Sequence, residues 1–321
     1  MKRPGLRIHA PAILYFDCVR RCGSFREAAR VLNVASSAVN RQILKLEDEL
    51  GTPLFERLPG GLQLTAAGEV FARHVLTVMQ DTERVKSQLD AMKGLRSGHV
   101  ELATVEGVTV DLLPVAIERM RELYPQVSVG VSIHGSTGIP ETIASGNADL
   151  GLAFALQRND NLHQLIRAHL HLGAIMRPDH PLAGAKKLRF ATCAAYPLIL
   201  AKPELSIAHL LAPAIAQAPN WGRPIAETGS VELAKKLTLR GDGIAFQTRI
   251  GIEEELEAGK LVHIPIINNG PIMSDLGLYI RAQRALPVAV DAFAQILSAE
   301  IERRAQAEQE IIGDLSPAAD A

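Results

Sequence analysis

Two apolar stripes at helical spacing, set in residues 24 to 51 on either side of a short break, constrain this chain more than any other feature. Ser24 with Glu27 three residues later forms a capping box, in which the two side chains satisfy backbone N–H groups that a helix start leaves unpaired. Phe25, Ala28, Ala29 and Leu32 then recur on one face, which predicts a helix of about two turns. Asn33 tolerates the left-handed backbone of a tight turn. A second helix opens at Ala35 or Ser36, with apolar positions at Val39, Ile43, Leu46 and Leu50, and Gly51 stops it. Two helices across a turn of about three residues, the second carrying polar side chains early on its open face, make a helix-turn-helix. Ser36, Ser37, Asn40 and Arg41 are those side chains, and hydroxyl, amide and guanidinium groups are the chemistry that reads base edges.

An earlier helix after Pro11 aligns Ala12, Tyr15, Phe16, Val19 and Cys22 and supplies the third wall of a small core. Beyond Gly51, Pro53-Leu54-Phe55 and Leu62-Gln63-Leu64-Thr65 flank Pro59-Gly60-Gly61, which predicts a hairpin wing. The net charge of −1 hides an asymmetry: residues 1 to 98 carry +5 and the rest −6. The basic end is the nucleic-acid end. Lys2, Arg3 and Arg7 form a basic leader, read either as a solvated start or as an arm reaching the DNA backbone.

From Ala66 to about Met92 no proline interrupts, and Phe71, Val75, Val78, Thr82, Val85, Leu89 and Met92 alternate spacings of four and three. This is a heptad seam whose apolar stripe needs a partner, most simply a second copy of itself; Phe71, Val75, Val78, Val85 and Leu89 are the candidate dimer contacts. Gly94 and Gly98 bracket a hinge.

After Gly98 short apolar strands alternate with helices: Val100 to Val105, a helix to Leu123, Val127 to Ile133, a helix over Ile139 to Ser145, then Leu150 to Phe154. A second series runs through Leu170 to Met176, Tyr196 to Leu200, Ile244 to Gln247 and Leu261 to Ile264, and closes with a strand at Leu276 to Arg281 and a helix over Val288 to Arg304. Such alternation predicts a mainly parallel sheet covered on both faces.

Residues 11 to 68 resemble the head of LysR-type transcriptional regulators: Ala-Val-Asn-Arg-Gln-Ile, Leu-Glu-Asp-Glu-Leu-Gly-Thr-Pro-Leu-Phe-Glu-Arg and Leu-Thr-Ala-Ala-Gly follow the family pattern in order and spacing. Later matches include Leu112-Leu113-Pro114, Tyr124-Pro125, Gly146 with Asp149, His180-Pro181-Leu182-Ala183, Gly241-Asp242-Gly243-Ile244 and Gly259-Lys260-Leu261-Val262. The resemblance implies an α/β chain made of a winged helix-turn-helix at 1–65, a linker and dimerisation helix with its hinge at 66–97, and an effector domain at 98–304. That domain resembles periplasmic solute receptors, with subdomain I at about 98–169 and 269–304 and subdomain II at about 170–268; residues 305–321 read as a disordered tail. The partners implied are double-stranded operator DNA, a small-molecule effector, a second copy as homodimer or homotetramer, and RNA polymerase.

Ligands in such sheets sit beyond the carboxyl ends of strands. Carried over by position, the implied effector loops are Val105-Glu106-Gly107-Val108, His134-Gly135-Ser136-Thr137, Ala201-Lys202 and Phe246-Gln247-Thr248. The chain departs from the family in three places. Asn40 stands where serine is frequent; Gly60 and Gln63 stand where the wing is often basic, which leaves Arg57 nearby as the implied cationic contact to the minor groove; and Val105 stands where a hydroxyl often helps hold an acid. Glu106 beside it, with Lys202 across the cleft, would suit an amine-bearing, zwitterionic or hydroxyl-rich effector, unless Glu106 caps the following helix.

Several other readings find no support in the residues. No apolar run nears the roughly 18 residues of a membrane span. The three cysteines, Cys18, Cys22 and Cys193, fall at no metal-ligand spacing, which points to packing in a reducing compartment, the cytoplasm, with a redox switch at Cys18 and Cys22 as the minor reading. His163, His169, His171 and His180 lack carboxylate or cysteine partners at metal spacing, and Gly241-Asp-Gly243 lacks the third glycine of a dinucleotide loop. No nucleophile has a recognisable base, so no catalytic residue, metal or cofactor is expected and the chain reads as a binding protein. The alternative is a solute-binding or solute-processing protein built on the receptor-like half.

Overall fold

The computed structural model describes residues 11–58, 61–92, 98–218 and 222–313. They cluster into two compact units that divide near residue 95. In the first, α1 (Pro11–Cys22), α2 (Phe25–Leu32) and α3 (Ser36–Leu50) enclose a core of Phe16, Val19, Ala28, Val39 and Ile43. Full burial of each large member contributes about 1.5–3 kcal/mol. Ser24 Oγ accepts from Glu27 N, and the two helix ends turn on Asn33 (φ 54°) and Gly51 (φ 68°) in the left-handed region. Leu50, expected on the apolar face, is exposed instead because the helix ends there and Gly51 turns the chain away.

The wing is an antiparallel hairpin of β1 (Phe55–Leu58) and β2 (Gly61–Leu64), with Phe55 opposite Leu64 and Leu58 opposite Gly61. Pro59 and Gly60 of the expected turn lie outside the described residues, as do Lys2, Arg3, Arg7 and Gly94. Glu47 Oε1 accepts from Leu54 N (2.7 Å) and Phe55 N (3.1 Å), fastening α3 to the wing. The helix α4 (Ala66–Met92) starts where Thr65 Oγ1 accepts from Gly68 N. A Cβ on Gly68 would come within 2.1 Å of Leu54 O, so only glycine lets this helix start pack there.

Two positions of the expected dimer seam are already used. Val75 is fully buried and Phe71 packs edge-on against Phe16 (4.9 Å), both within the core of their own head. The first heptad therefore closes the small domain, and the open part of the stripe is Val85 and Leu89, preceded by half-buried Val78.

The second unit has two lobes. In the first, β3 (Gly98–Thr104), α5 (Leu112–Leu123), β4 (Val127–Ile133), α6 (Ile139–Ala144), β5 (Leu150–Phe154) and β6 (Leu162–Ala168) follow in order. The second lobe holds β7 (Gly173–Met176), α7 (Phe190–Cys193), β8 (Ile199–Ala201), α8 (Ser206–Ala216), β9 (Ala226–Thr228), α9 (Val231–Arg240), β10 (Ala245–Gln247), α10 (Glu253–Glu257) and β11 (Val262–Pro265). The chain then returns as β12 (Leu276–Arg281) and α11 (Val288–Gly313).

The first sheet has the order β4-β3-β5-β12-β6 and is mixed rather than mainly parallel. Only β3 with β4 and β5 is parallel, through helical crossovers; β12 enters from the other lobe and runs antiparallel to β5 and β6. In the second lobe β7 lies antiparallel between β10 and β11, and β8 pairs parallel with β9. The two passages between lobes lie side by side, His171 opposite Met273, joined by Leu172 N to Ile272 O and Ser274 N to Leu170 O (both 2.8 Å).

The final helix runs past Arg304 to Gly313, beyond where the sequence reading places a disordered tail. A reason is visible in Glu308, which is buried and accepts from His171 N at 2.6 Å. Arg304 ties the same helix to Asp111 of the first lobe, Glu253 of the second and its own Glu300.

Candidate nucleic-acid interface and ligand cleft

On α3 the apolar positions Val39, Ile43 and Leu46 face the core, which turns Ser37 and Arg41 outward and leaves Ser36 and Asn40 half-buried at the boundary. None of these four has a side-chain partner among the described residues, and neither does Arg57, exposed on β1. Leu44 is 56% exposed on the same open face, where the helical period places it, off the stripe of Val39, Ile43 and Leu46. Nearby Arg30 is held by Glu27 (2.5 Å), whereas Arg26 is exposed. Cys18 and Cys22 pack on the head core; burial, aided by Cys22, pushes the Cys18 thiol up to about 11, which keeps it protonated and argues for packing.

The cleft of the second unit lies where strands end. Its walls are Val105, Glu106 and Gly107 after β3, Ser136 after β4, Phe154 ending β5, Leu205, Ser206 and Ile207 opening α8, Val231 opening α9, Gln247, Thr248 and Ile250 at and after β10, and Ser274 before β12. The cavity between them measures about 40 Å³.

Of the residues carried over from the resemblance, Val105, Glu106, Gly107, Ser136, Gln247 and Thr248 line this cavity. The others do not. Phe246 points into the second lobe's core, 5.6 Å from Phe190, because successive strand residues face opposite sides and Gln247 takes the cleft side. His134 turns back to Ser132 Oγ (3.0 Å), while Gly135 packs toward Glu204. Thr137 and Lys202 are exposed; Lys202 takes part through its backbone, donating to Thr228 O (3.0 Å). Phe154, Leu205, Ser206, Ile207, Val231, Ile250 and Ser274 complete the cleft without a local sequence signal, since each is an ordinary element-end residue.

Glu106 does cap a helix, but not the following one. Its Oε2 accepts from Val231 N (2.7 Å) and Glu232 N (3.5 Å), and its Oε1 from Ser230 Oγ (2.8 Å), at the start of α9 in the other lobe. The carboxylate thus sits on the positive end of a helix dipole. Ser230 Oγ also accepts from Leu233 N, so this helix start is capped twice.

Lys235 fastens α9 from beneath. It is 2% exposed and its Nζ donates to Gly251 O (3.1 Å), with Glu232 (2.8 Å) and Glu255 (3.0 Å) as ion-pair partners. Burial opposes its charge, yet the two carboxylates outweigh that and raise its pKa. His263 lies flat over Gly173 and donates from Nε2 to Gln247 O (3.0 Å); desolvation holds its pKa down at about 3. Among the described residues no cluster of His, Cys, Asp and Glu is arranged to hold a metal ion: His169 pairs with Asp275 and His171 with Glu308. No helix among the described residues is long and apolar enough to cross a membrane.

Two family models match. Residues 12–69 match the bacterial regulatory helix-turn-helix protein, LysR family, and residues 93–302 the LysR substrate binding domain. The HTH-type transcriptional regulator CbbR of Rhodospirillum rubrum is 28% identical over 298 residues, covering 91% of this chain and 97% of that protein. Among solved structures, a full-length OxyR variant from Pseudomonas aeruginosa superposes with a TM-score of 0.70 at 16% identity, covering 92% and 95% of the two chains. Full-length CbnR complexed with its target DNA superposes at 0.52 with 18% identity, covering 90% and 99%.

Proposed function

The chain belongs to the LysR family of bacterial regulators, and from that premise we propose how its residues divide the work. It is a DNA-binding transcriptional regulator with an effector-binding domain. Ser36, Ser37, Asn40 and Arg41 enter the major groove, Leu44 offers an apolar contact to a thymine methyl, and Arg57 anchors the wing on phosphate. The observation that carries this reading is α3 itself, a helix whose inner face is committed to a core while Ser36, Ser37, Asn40 and Arg41 have no side-chain partner among the described residues.

A small-molecule effector occupies the cleft between the lobes, and its binding energy shifts their relative population. Two or four copies assemble through α4, with Val85 and Leu89 as the seam and Val78 at its near end, so that a change in the effector domains alters how paired heads bend DNA. The protein works in the cytoplasm, where it contacts RNA polymerase, and it is not a catalyst.

Binding of labelled DNA from the region upstream of its own gene tests the head. Asn40→Ala with Arg41→Ala should abolish specific retardation while circular dichroism stays unchanged. Undiminished specific binding by that double variant would remove α3 from the interface. Leu89→Asp should yield monomers by sedimentation, since a carboxylate buried in an apolar seam is strongly disfavoured.

A further inference from the structure

The cleft contains two buried polar atoms that have no partner among the described residues. They are Gln247 Oε1, on a residue 6% exposed, and Ser274 Oγ, on a residue 1% exposed. Both residues line the cavity, Gln247 at the end of β10 and Ser274 on the passage between the lobes. An unmet buried polar group costs about 1–3 kcal/mol; Gln247 Oε1 accepts and the Ser274 hydroxyl both donates and accepts, so a ligand's hydrogen-bond donor would satisfy the first and either a donor or an acceptor the second.

The charge around these atoms narrows the ligand further. Among the described residues no lysine, arginine or histidine lines the cavity, and the sole ionisable lining residue is Glu106. Both Glu106 oxygens are taken by Ser230 and the first amides of α9. The helix start that would attract an acid is therefore already filled by the chain's own carboxylate, and an incoming anion would find neither a free helix start nor a cationic side chain to balance it. An ammonium gains little either, because the charge of Glu106 is compensated by that helix start. The remaining wall is apolar, chiefly Val105, Phe154, Ile207 and Ile250. At about 40 Å³ the cavity is a few times the roughly 10–15 Å³ that one water needs.

We infer that the cleft selects a compact, uncharged molecule of few heavy atoms, with an apolar body and an amide or hydroxyl donor, and that Glu106 sets this specificity as an internal substitute for an acid ligand. This replaces the amine or zwitterion that Glu106 and Lys202 suggest in sequence, since Lys202 is exposed and does not line the cleft. The inference rests on the cleft being the effector site.

A matched set of probes separates the two. Propionamide, 1-propanol, propionate and propylammonium are titrated into the full-length protein, read by methyl NMR signals of Val105, Ile207 and Ile250. Propionamide and 1-propanol should shift these signals with at least tenfold lower apparent Kd than propionate or propylammonium. Gln247→Leu should weaken propionamide about tenfold while leaving the fold intact. Glu106→Ala empties the start of α9, so propionate should gain at least tenfold, whereas Glu106→Gln keeps an acceptor there and should preserve the preference for neutral probes. Propionate or propylammonium shifting the same methyls most strongly in the unaltered protein overturns the neutral class and leaves the cleft reading standing. Neutral probes that bind but leave those methyls unmoved, or a set in which nothing binds, overturn the inference together with that reading.

Discussion

The outer face of α3 and the cleft between the lobes are opposite kinds of site. Ser37 and Arg41 are exposed with no side-chain partner among the described residues, one turn apart on a single helix. Glu106 is held by three donors from an element 124 to 126 residues away, and its neighbours come from both lobes. On the helix, recognition and folding are separable, because the core takes one face and the partner the other. In the cleft the groups that would recognise a ligand also join the lobes. A substitution on α3 should therefore alter binding without stability, and one in or under the cleft should alter both.

The comparison is tested hardest at Lys235. Lys235→Ala leaves Glu232 and Glu255 facing each other without their shared cation and should cost about 3–5 kcal/mol, lowering the melting temperature of the effector domain and loosening α9 beside the cleft. A melting temperature within a degree of the unaltered protein would show that α9 is held by packing alone.

On the other side, Asn40→Ala should cost about 1–3 kcal/mol of discrimination at one operator position, if its amide contact is bidentate, while thermal stability stays the same. An operator mutation panel with every preference intact would remove Asn40 from base readout.

His263 sharpens the contrast through pH. Its folded pKa of about 3 lies below the ordinary 6.5, so between those values the unfolded chain binds a proton that the folded one refuses. Its contribution is fully present above about 6.5 and declines as pH falls, by at most about 1.4 kcal/mol per unit. Denaturant unfolding from pH 6.5 to 4.5 should thus be less steep in His263→Gln, and equal slopes would count against the assignment. The smallest effect belongs to Arg57→Ala, which should weaken all DNA sequences alike and reduce the salt slope by about 0.9.

The head was legible because its signals are local. The Ser24 cap, the Asn33 turn and the Gly51 stop each act within one helix turn, and each stands in the structure where the spacing puts it, although the Glu27 side chain expected to complete the capping box pairs with Arg30 instead. The linker was half legible: the heptad marks which positions are apolar but not who covers them, so Val75 looked like Leu89 although one is sealed in its own head and the other exposed. In the cleft the loops were correctly located at strand ends, yet Phe246 and Gln247 could not be told apart without knowing which face of β10 meets the other lobe.

By itself the sequence determined the family, the three-helix head with its wing, the existence of a long linker helix and the strand–helix alternation of the effector half. These follow from period, caps and turn residues, whose energies are set by neighbours within a few positions. Only the tertiary structure decided that β12 and β6 run antiparallel, that Glu308 anchors the last helix to His171, and that Glu106 reaches the start of α9. Each depends on which distant segments a closed core brings within hydrogen-bond range, and no local propensity carries that information.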